Sequence, residues 1–256
     1  MEIVTEPAAD LNLHRMQTAA LLMHFDEHWV GRVFHDDVLR LTERERDLLS
    51  RIDPRAFRAD EQRQARCAHA IVDELPVAVA VVGLPRVFSF FTSPDFLVLL
   101  QAGTPLVEGV AQFLGSVALV EGSIARARRR PQSRGPCTLA PGVDAQSLPG
   151  GTLACWTAVR TSLGPNPAAA VRRGARAEWT CQVRAADGDE GVIVDHALVD
   201  ARVASCTPEL ALLLMAAREG QRAGLLDLAR SQGLSDDEAE ALLLELQADG
   251  LLAAVV

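Results

Sequence analysis

The stretch AEWTCQVRAADGDEGVIVDHALVDARVASC, residues 177–206, decides the fold class. In its first part Trp179, Cys181 and Val183 alternate with polar residues, which is the period of a strand with one buried face. The segment DGDEG supplies a turn, and VIVDHALVDARVASC, 192–206, is rich in the β-branched residues of a second and a third strand. The sequence therefore predicts a small antiparallel sheet late in the chain.

Residues 11–125 have the hydrophobic period of helices. The segment LTERERDLLSRI, 41–52, has Thr42 as a helix cap and Glu45 three positions later, which is the pattern of a capping box. Further helix starts are predicted at Asp53-Pro54, Asp60 and Ser93-Pro94. The first part of the chain is therefore predicted to be helical.

Residues 207–256 return to helical patterns. Thr207 precedes Pro208 as a cap, and Ser235 with Glu238 forms a second predicted capping box. Two short helices joined by a tight turn resemble a winged-helix unit. The predicted fold class is α+β, with an N-terminal helical domain followed by a small antiparallel β-sheet and a C-terminal winged-helix-like helix pair.

We divide the chain into three parts by composition. Residues 1–130 form the helical domain, and residues 131–150 form a linker or loop rich in Pro, Gly and Arg. Residues 151–256, interpreted as β-rich and then helical, form a β-sheet plus winged-helix-like domain. The division predicts that the two larger parts each have a core.

Composition excludes several classes of function. A net charge of −9 opposes a large nucleic-acid or anionic-membrane surface. The longest apolar run, LPVAVAVVGLP at 75–85, is far shorter than the ~20 residues that span a bilayer. Five scattered cysteines without a CxxC pair predict reduced thiols, and we expect a cytoplasmic protein.

One motif suggests metal chemistry. The segment HFDEH fits the H-x-x-E-H pattern of inverted zinc proteases, and on one helix His24 and His28 would share a face beside Glu27. No second cluster supplies a third ligand, so a polar helix end is the simpler interpretation. A metal-dependent hydrolase stays as one alternative, and we expect no metal in this chain.

The C-terminal helix pair suggests DNA binding as another alternative. The second helix of such a pair reads the major groove. Here that helix begins SDDEAEALLLELQAD, and its acidic residues would face phosphates. A winged-helix transcriptional regulator therefore stays an alternative, and a module that docks protein or peptide is preferred.

Four segments resemble the MbnC-like partner subunits of DUF692-type multinuclear non-haem iron enzymes in peptide natural-product biosynthesis. They are LLSRIDPRAFRADEQRQAR (48–66), FFTSPDFLVLLQAGTPLVEGVAQFL (90–114), EGSIARARR (121–129) and LAPGVDAQSLPGGTLACW (139–156). With the terminal LLLELQADGLL they span most of the chain, and none is a catalytic signature. One departure is Leu97, where such proteins often carry His after the Phe that corresponds to Phe96.

The resemblance implies an accessory subunit with no catalytic residue and no cofactor of its own. It would grip the leader of a ribosomal precursor peptide and dock on the iron enzyme as a heterodimer, and the iron that oxidises a cysteine of the precursor would lie in that enzyme. The leader would add a strand to an exposed sheet edge. The candidate peptide-binding residues are Trp179, Cys181, Val183, Val192 and Val194. The candidate enzyme-docking residues are Arg55, Arg58, Arg126 and Arg129, and the candidate anchors are Trp29, Trp156 and Trp179.

Overall fold

The structure is a computed structural model, and it describes residues 11–35, 37–53, 55, 61–129, 137–177, 188–196 and 201–253. The helices before the sheet are α1 (Leu13–Phe25), α2 (Glu27–His35), α3 (Glu43–Ser50), α4 (Glu61–Glu74), α5 (Pro76–Val82), α6 (Leu84–Phe90), α7 (Pro94–Ala102), α8 (Leu106–Leu114) and α9 (Ser116–Arg129). Strand β1 (Val143–Pro149) then precedes α10 (Thr152–Leu163) and α11 (Pro167–Arg172). The remaining elements are β2 (Asp189–Asp195), β3 (Arg202–Cys206), α12 (Pro208–Ala216), α13 (Arg222–Ser231) and α14 (Asp236–Ala248).

The predicted helix caps are largely confirmed. Thr42 and Glu45 form a complete capping box at α3, and Ser235 and Glu238 form another at α14. The side chains of Ser93 and Thr207 accept the expected backbone N–H groups at α7 and α12. Asp53 accepts the Arg55 N–H at 2.8 Å, and the predicted cap Asp60 lies outside the described residues. At α3, α7, α12 and α14 the capping side chain accepts the N–H of the residue three positions later.

The predicted α+β class is confirmed, with helices around a small antiparallel sheet. The strand order is β1-β2-β3, and both neighbouring pairs are antiparallel. Gly191 in β2 accepts no larger residue without movement, since an added Cβ would lie 2.3 Å from the Thr207 carbonyl oxygen. The sheet and the start of α12 therefore approach each other closely at a glycine.

Two boundaries in the predicted division are wrong. Strand β1, 143–149, lies inside the segment predicted as a linker, where it pairs with β2 along its whole length. Helices α10 and α11 occupy 152–172, within the segment interpreted as β-rich. The sheet therefore takes one strand from the predicted linker and two from the C-terminal part.

The two faces of the sheet belong to two hydrophobic clusters. We call the first the helical cluster; it joins α1–α11 to one face through Leu148, Val192 and Val194. The second, the C-terminal cluster, joins α12–α14 to the other face through Val143 and Ala145. The sheet is therefore the middle layer of the molecule, and cutting the chain at 130–150 would remove β1 from it.

The oxidation state of the cysteines differs from the prediction. Cys155 on α10 is disulfide-bonded, so the prediction that all thiols are reduced is wrong. Cys67, Cys137 and Cys206 are free.

In the described part of the chain, no helix has both the length and the apolar character that crossing a membrane requires.

Candidate functional site

The outer edge of β1 is closed by side chains from the α12 region. The guanidinium of Arg218, in a short 3-10 helix (Ala217–Glu219) after α12, donates to the Ala145 carbonyl oxygen. The Ser147 N–H donates to the Met215 sulfur at 3.4 Å. An unpaired strand edge exposes such groups to any incoming strand. These two contacts satisfy outward-facing backbone groups of β1 and leave that edge unavailable.

A buried carboxylate anchors this closed edge. Asp144 is fully buried, and its oxygens accept from Arg126 Nε on α9 at 3.0 Å and from Arg218 Nε at 3.0 Å. Arg126 also donates to Ser123 at 2.9 Å and to Gln146 at 3.2 Å. The Asp144 carboxylate thus joins the helical cluster to the C-terminal cluster with charge-assisted hydrogen bonds.

The hydrogen bonds at the two ends of the β1–β2 ladder show which residues of these strands bond to each other. His196 N–H donates to the Gly142 carbonyl, and Gly150 N–H donates to the Gly188 carbonyl, both at 2.8 Å. In an antiparallel pair, hydrogen-bonded and non-hydrogen-bonded residue pairs alternate. Even-numbered residues of β1 and β2 therefore bond to each other, and odd-numbered residues of β2 face β3.

The same alternation fixes the outer edge of β3. Ile193 in β2 is opposite Ala204, and Asp195 is opposite Arg202, so even-numbered β3 residues bond to β2. The N–H and C=O groups of Val203 and Ser205 then point away from the sheet. In the described part of the chain, no strand pairs with this side of β3. Within the described residues, the outer edge of β3 is therefore unpaired, whereas that of β1 is closed.

A groove lies beside the open edge, between α10 and β3. Its volume is about 440 Å³, and its described lining residues are Trp156, Thr157, Arg160, Thr161, Gly164, Pro165, Ala201 and Val203. Trp156 and Val203 supply apolar walls, and the Arg160 guanidinium lies 5.4 Å from the Trp156 ring centroid. A strand added to β3 would place every second side chain over this groove.

A buried glutamate lies near the groove in the helical cluster. Burial raises the pKa of Glu121 to about 8, although the N–H groups of Ala78 and Val77, the Arg160 charge and the Trp156 indole oppose the rise. The carboxylate accepts from Val77 and Ala78 at 3.0 and 2.9 Å. The Trp156 N–H makes no hydrogen bond of good geometry within the described residues. Trp156 therefore lies near both the groove and a buried carboxyl group whose pKa is raised.

The predicted peptide-binding valines do not lie on an edge. Val192 and Val194 are fully buried in β2, the central strand, and pack in the helical cluster. Their assignment as peptide-contacting residues is wrong, because the central strand is paired on both sides. Trp179, Cys181 and Val183 lie outside the described residues.

The predicted docking arginines are not one surface. Arg126 is directed inward to Asp144, so its assignment to enzyme docking is wrong. Arg129 is half exposed and pairs with Glu74. Arg55 is exposed, and Arg58 lies outside the described residues.

The predicted tryptophan anchors have different environments. Trp29 is fully buried and donates its indole N–H to the Phe91 carbonyl at 2.8 Å, so its assignment as an anchor for a partner is wrong. Trp156 lines the groove but is only 6% exposed, and it packs in the helical cluster. Trp179 lies outside the described residues.

The H-x-x-E-H motif is interrupted. Helix α1 ends at Phe25, Asp26 is extended, and the Asp26 side chain accepts the His28 N–H at 2.8 Å to start α2. His24 and His28 are therefore on different helices, and the shared face expected of them is wrong. Among the described residues, no group of three or more His, Cys, Asp and Glu side chains is arranged to hold a metal.

Comparisons with family models, with curated proteins and with solved structures give no match to this chain. The open edge and its groove were not located by sequence reasoning. The third strand was predicted, but a strand pattern does not reveal which neighbours it has. The position of Arg160 depends on α10, and the outward orientation of Val203 and Ser205 depends on the pairing of β3 with β2.

Proposed function

We propose that this chain is a non-catalytic accessory subunit that binds the leader of a ribosomal precursor peptide along the outer edge of β3. In this proposal it works in the cytoplasm and docks on a DUF692-type iron enzyme, which holds the iron and oxidises a cysteine of the precursor. The observation that carries the proposal is the outward orientation of the Val203 and Ser205 backbone beside the α10 groove.

The leader would bind mainly through its backbone. Its own N–H and C=O groups would pair with those of Val203 and Ser205, which is strand addition. Side chains at alternate positions of the leader would enter the groove over Trp156. Main-chain pairing supplies affinity for many sequences, and the groove supplies selectivity.

Two alternatives have less support. A DNA-reading role for α14 is opposed by Asp236, Asp237 and Glu238 in its first turn, because phosphates would be repelled there. A hydrolase built on HFDEH is opposed by the helix break at Asp26. Salt-sensitive binding to a DNA duplex would favour the first, and stoichiometric zinc lost in His24→Ala would favour the second.

The docking part of the proposal rests on the resemblance and on exposed apolar side chains of α6 and α7. Leu84 and Phe88 are four residues apart on α6 and are 37% and 40% exposed, and Val98 on α7 is 61% exposed. Arg86 on α6 lies over the Phe113 ring, 4.0 Å from its centroid, and lines a groove together with Val98. Aromatic residues and arginine are enriched at protein interfaces.

The docking surface is tested by co-purification with the enzyme. We expect Phe88→Asp to reduce recovery of the enzyme and to leave leader binding unchanged. Leu244→Asp is the matched control, because Leu244 is an exposed leucine of α14 on the other side of the sheet. Equal loss of enzyme in both variants, or in neither, would contradict this assignment.

The leader site is tested with the full chain and the labelled leader of a cysteine-containing precursor encoded beside its gene. We expect Val203→Pro to abolish binding, because proline removes an outward N–H, and Val203→Ala to retain most of it. Full binding by Val203→Pro would contradict the proposal. The lack of any such precursor and enzyme gene beside this one would contradict it as well.

A further inference from the structure

The groove beside β3 has a distinct chemical character within an acidic chain. The chain carries a net charge of −9, yet Arg160 is the charged side chain among the described lining residues, and no described carboxylate lines the groove. The other described walls are apolar or hydroxyl-bearing; Val203 is half-buried, and Trp156 is 6% exposed. The groove therefore favours a ligand with one negative charge and one apolar group.

Strand geometry sets the spacing between those two groups. Both Val203 in β3 and Ala201, which directly precedes β3, line the groove, and they are two residues apart. Side chains of a paired strand that lie opposite them are also two residues apart and on the same face. Adjacent residues of the bound strand would point to opposite faces, and only one of them would reach the groove.

Arg160 can bind a carboxylate of the ligand while its guanidinium stays stacked on the Trp156 ring. Its guanidinium lies over the ring at 5.4 Å and the residue is exposed. A guanidinium stacked on an aromatic ring keeps its edge N–H groups free to donate to a carboxylate. The ring would then contact the apolar side chain of the ligand.

We propose that the strand that binds β3 carries an acidic residue and an apolar residue two positions apart, with the acidic side chain on Arg160 and the apolar side chain between Trp156 and Val203. This inference rests on the proposed function, because it names the peptide class that the same edge accepts. The order of the two residues is left to the direction of the bound strand.

The test uses three fluorescein-labelled synthetic peptides of about ten residues in a Ser/Thr background, which is the upper length of a typical strand. One contains Glu-Thr-Val, the second Lys-Thr-Val and the third adjacent Glu-Val, each also made in reverse order. For the full chain we expect the Glu-Thr-Val spacing to bind about fivefold more tightly than either other peptide. Arg160→Glu should reverse the preference between Glu and Lys, and Arg160→Met, which keeps the contact with Trp156, should remove it.

The outcomes separate this inference from the proposed function. If Val203→Pro binds none of the peptides but Arg160→Glu keeps the preference for Glu over Lys, only the proposed acidic residue of the ligand would be overturned. Undiminished binding in Val203→Pro would overturn strand addition itself. A concentration-dependent dimer that excludes the peptides, seen by light scattering and lost in Val203→Pro, would assign the edge to a second copy and contradict both.

Discussion

The two outer edges of the sheet differ in how their backbone groups are satisfied. On β1, Arg218 and Met215 contact the outward groups of Ala145 and Ser147, and the buried Asp144 carboxylate anchors the arginine. On β3, the outward groups of Val203 and Ser205 have no partner strand within the described residues. Proteins usually protect such edges. The two edges therefore differ in how far the described part of the chain covers them.

The largest effect is expected at the closed edge. Asp144→Ala would leave the guanidinium groups of Arg126 and Arg218 without their carboxylate in a buried site, which costs about 3–5 kcal/mol of unfolding free energy. Urea denaturation followed by circular dichroism measures this loss. Asp144→Asn is the control of similar shape, and we expect it to lie between wild type and alanine. A loss below about 1 kcal/mol would mean that Asp144 does not anchor the edge.

A pair of prolines compares the two sides of β3. Ala204→Pro removes an N–H that bonds to β2, and we expect it to cost about 1–3 kcal/mol of unfolding free energy. Val203→Pro removes an outward N–H, so its cost should be clearly smaller while peptide binding is lost. Thermal unfolding of both variants checks the order. Greater destabilisation by Val203→Pro would show that the N–H of Val203, and not that of Ala204, bonds to β2.

Glu121 makes the unfolding free energy of the chain depend on pH. Because the folded-state pKa is raised to about 8 from 4.5, the folded chain holds a proton between these pH values that the unfolded chain has lost. Stability from this group therefore falls as pH rises through that window, with a limiting slope of about 1.4 kcal/mol per pH unit. We expect Glu121→Gln to remove this component from unfolding free energies measured between pH 5 and 8, within roughly the same window. An unchanged pH dependence would mean that Glu121 is ionised in the folded chain.

The smallest effect is expected in the C-terminal cluster, on the covered face of the sheet. Ser235→Ala removes the capping box of α14 and should cost about 1 kcal/mol. Peptide binding should stay at the wild-type level, because α14 packs in the C-terminal cluster and not in the groove. Fluorescence anisotropy with the Glu-Thr-Val peptide checks this. Weaker binding in Ser235→Ala would place the helix pair in the peptide site.

The helix caps could be predicted from sequence because each depends on residues three apart, as Thr42 and Glu45 do. Strand β1 could not, because VDAQSLP is short and partly polar and becomes a strand only by pairing with a segment some 40 residues later. Helix α10 contains Thr, Trp and Val, which favour strands on local preference, and packing of Trp156 and Val159 in the helical cluster overrides it.

The site itself depended on contacts that are distant in sequence. Asp144 meets arginines that are 18 and 74 positions away, so sequence spacing gave no sign that Arg126 is internal. The sequence predicts Val192 and Val194 at a peptide-binding edge, but they lie in the central strand, because an alternating strand can be central or at an edge. The neighbours of β2 decide between these, and they come from the predicted linker and from 202–206.

Residue-resolved amide hydrogen exchange by NMR tests the central claim most directly. In the free chain we expect the N–H groups of Val203 and Ser205 to exchange quickly and that of Ala204, which bonds to β2, to exchange slowly. Saturation with the leader of the co-encoded precursor should slow Val203 and Ser205 and leave Ala204 nearly unchanged. The account is contradicted if Val203 and Ser205 are already as slow as Ala204 without peptide, or if the bound leader leaves their exchange unaltered.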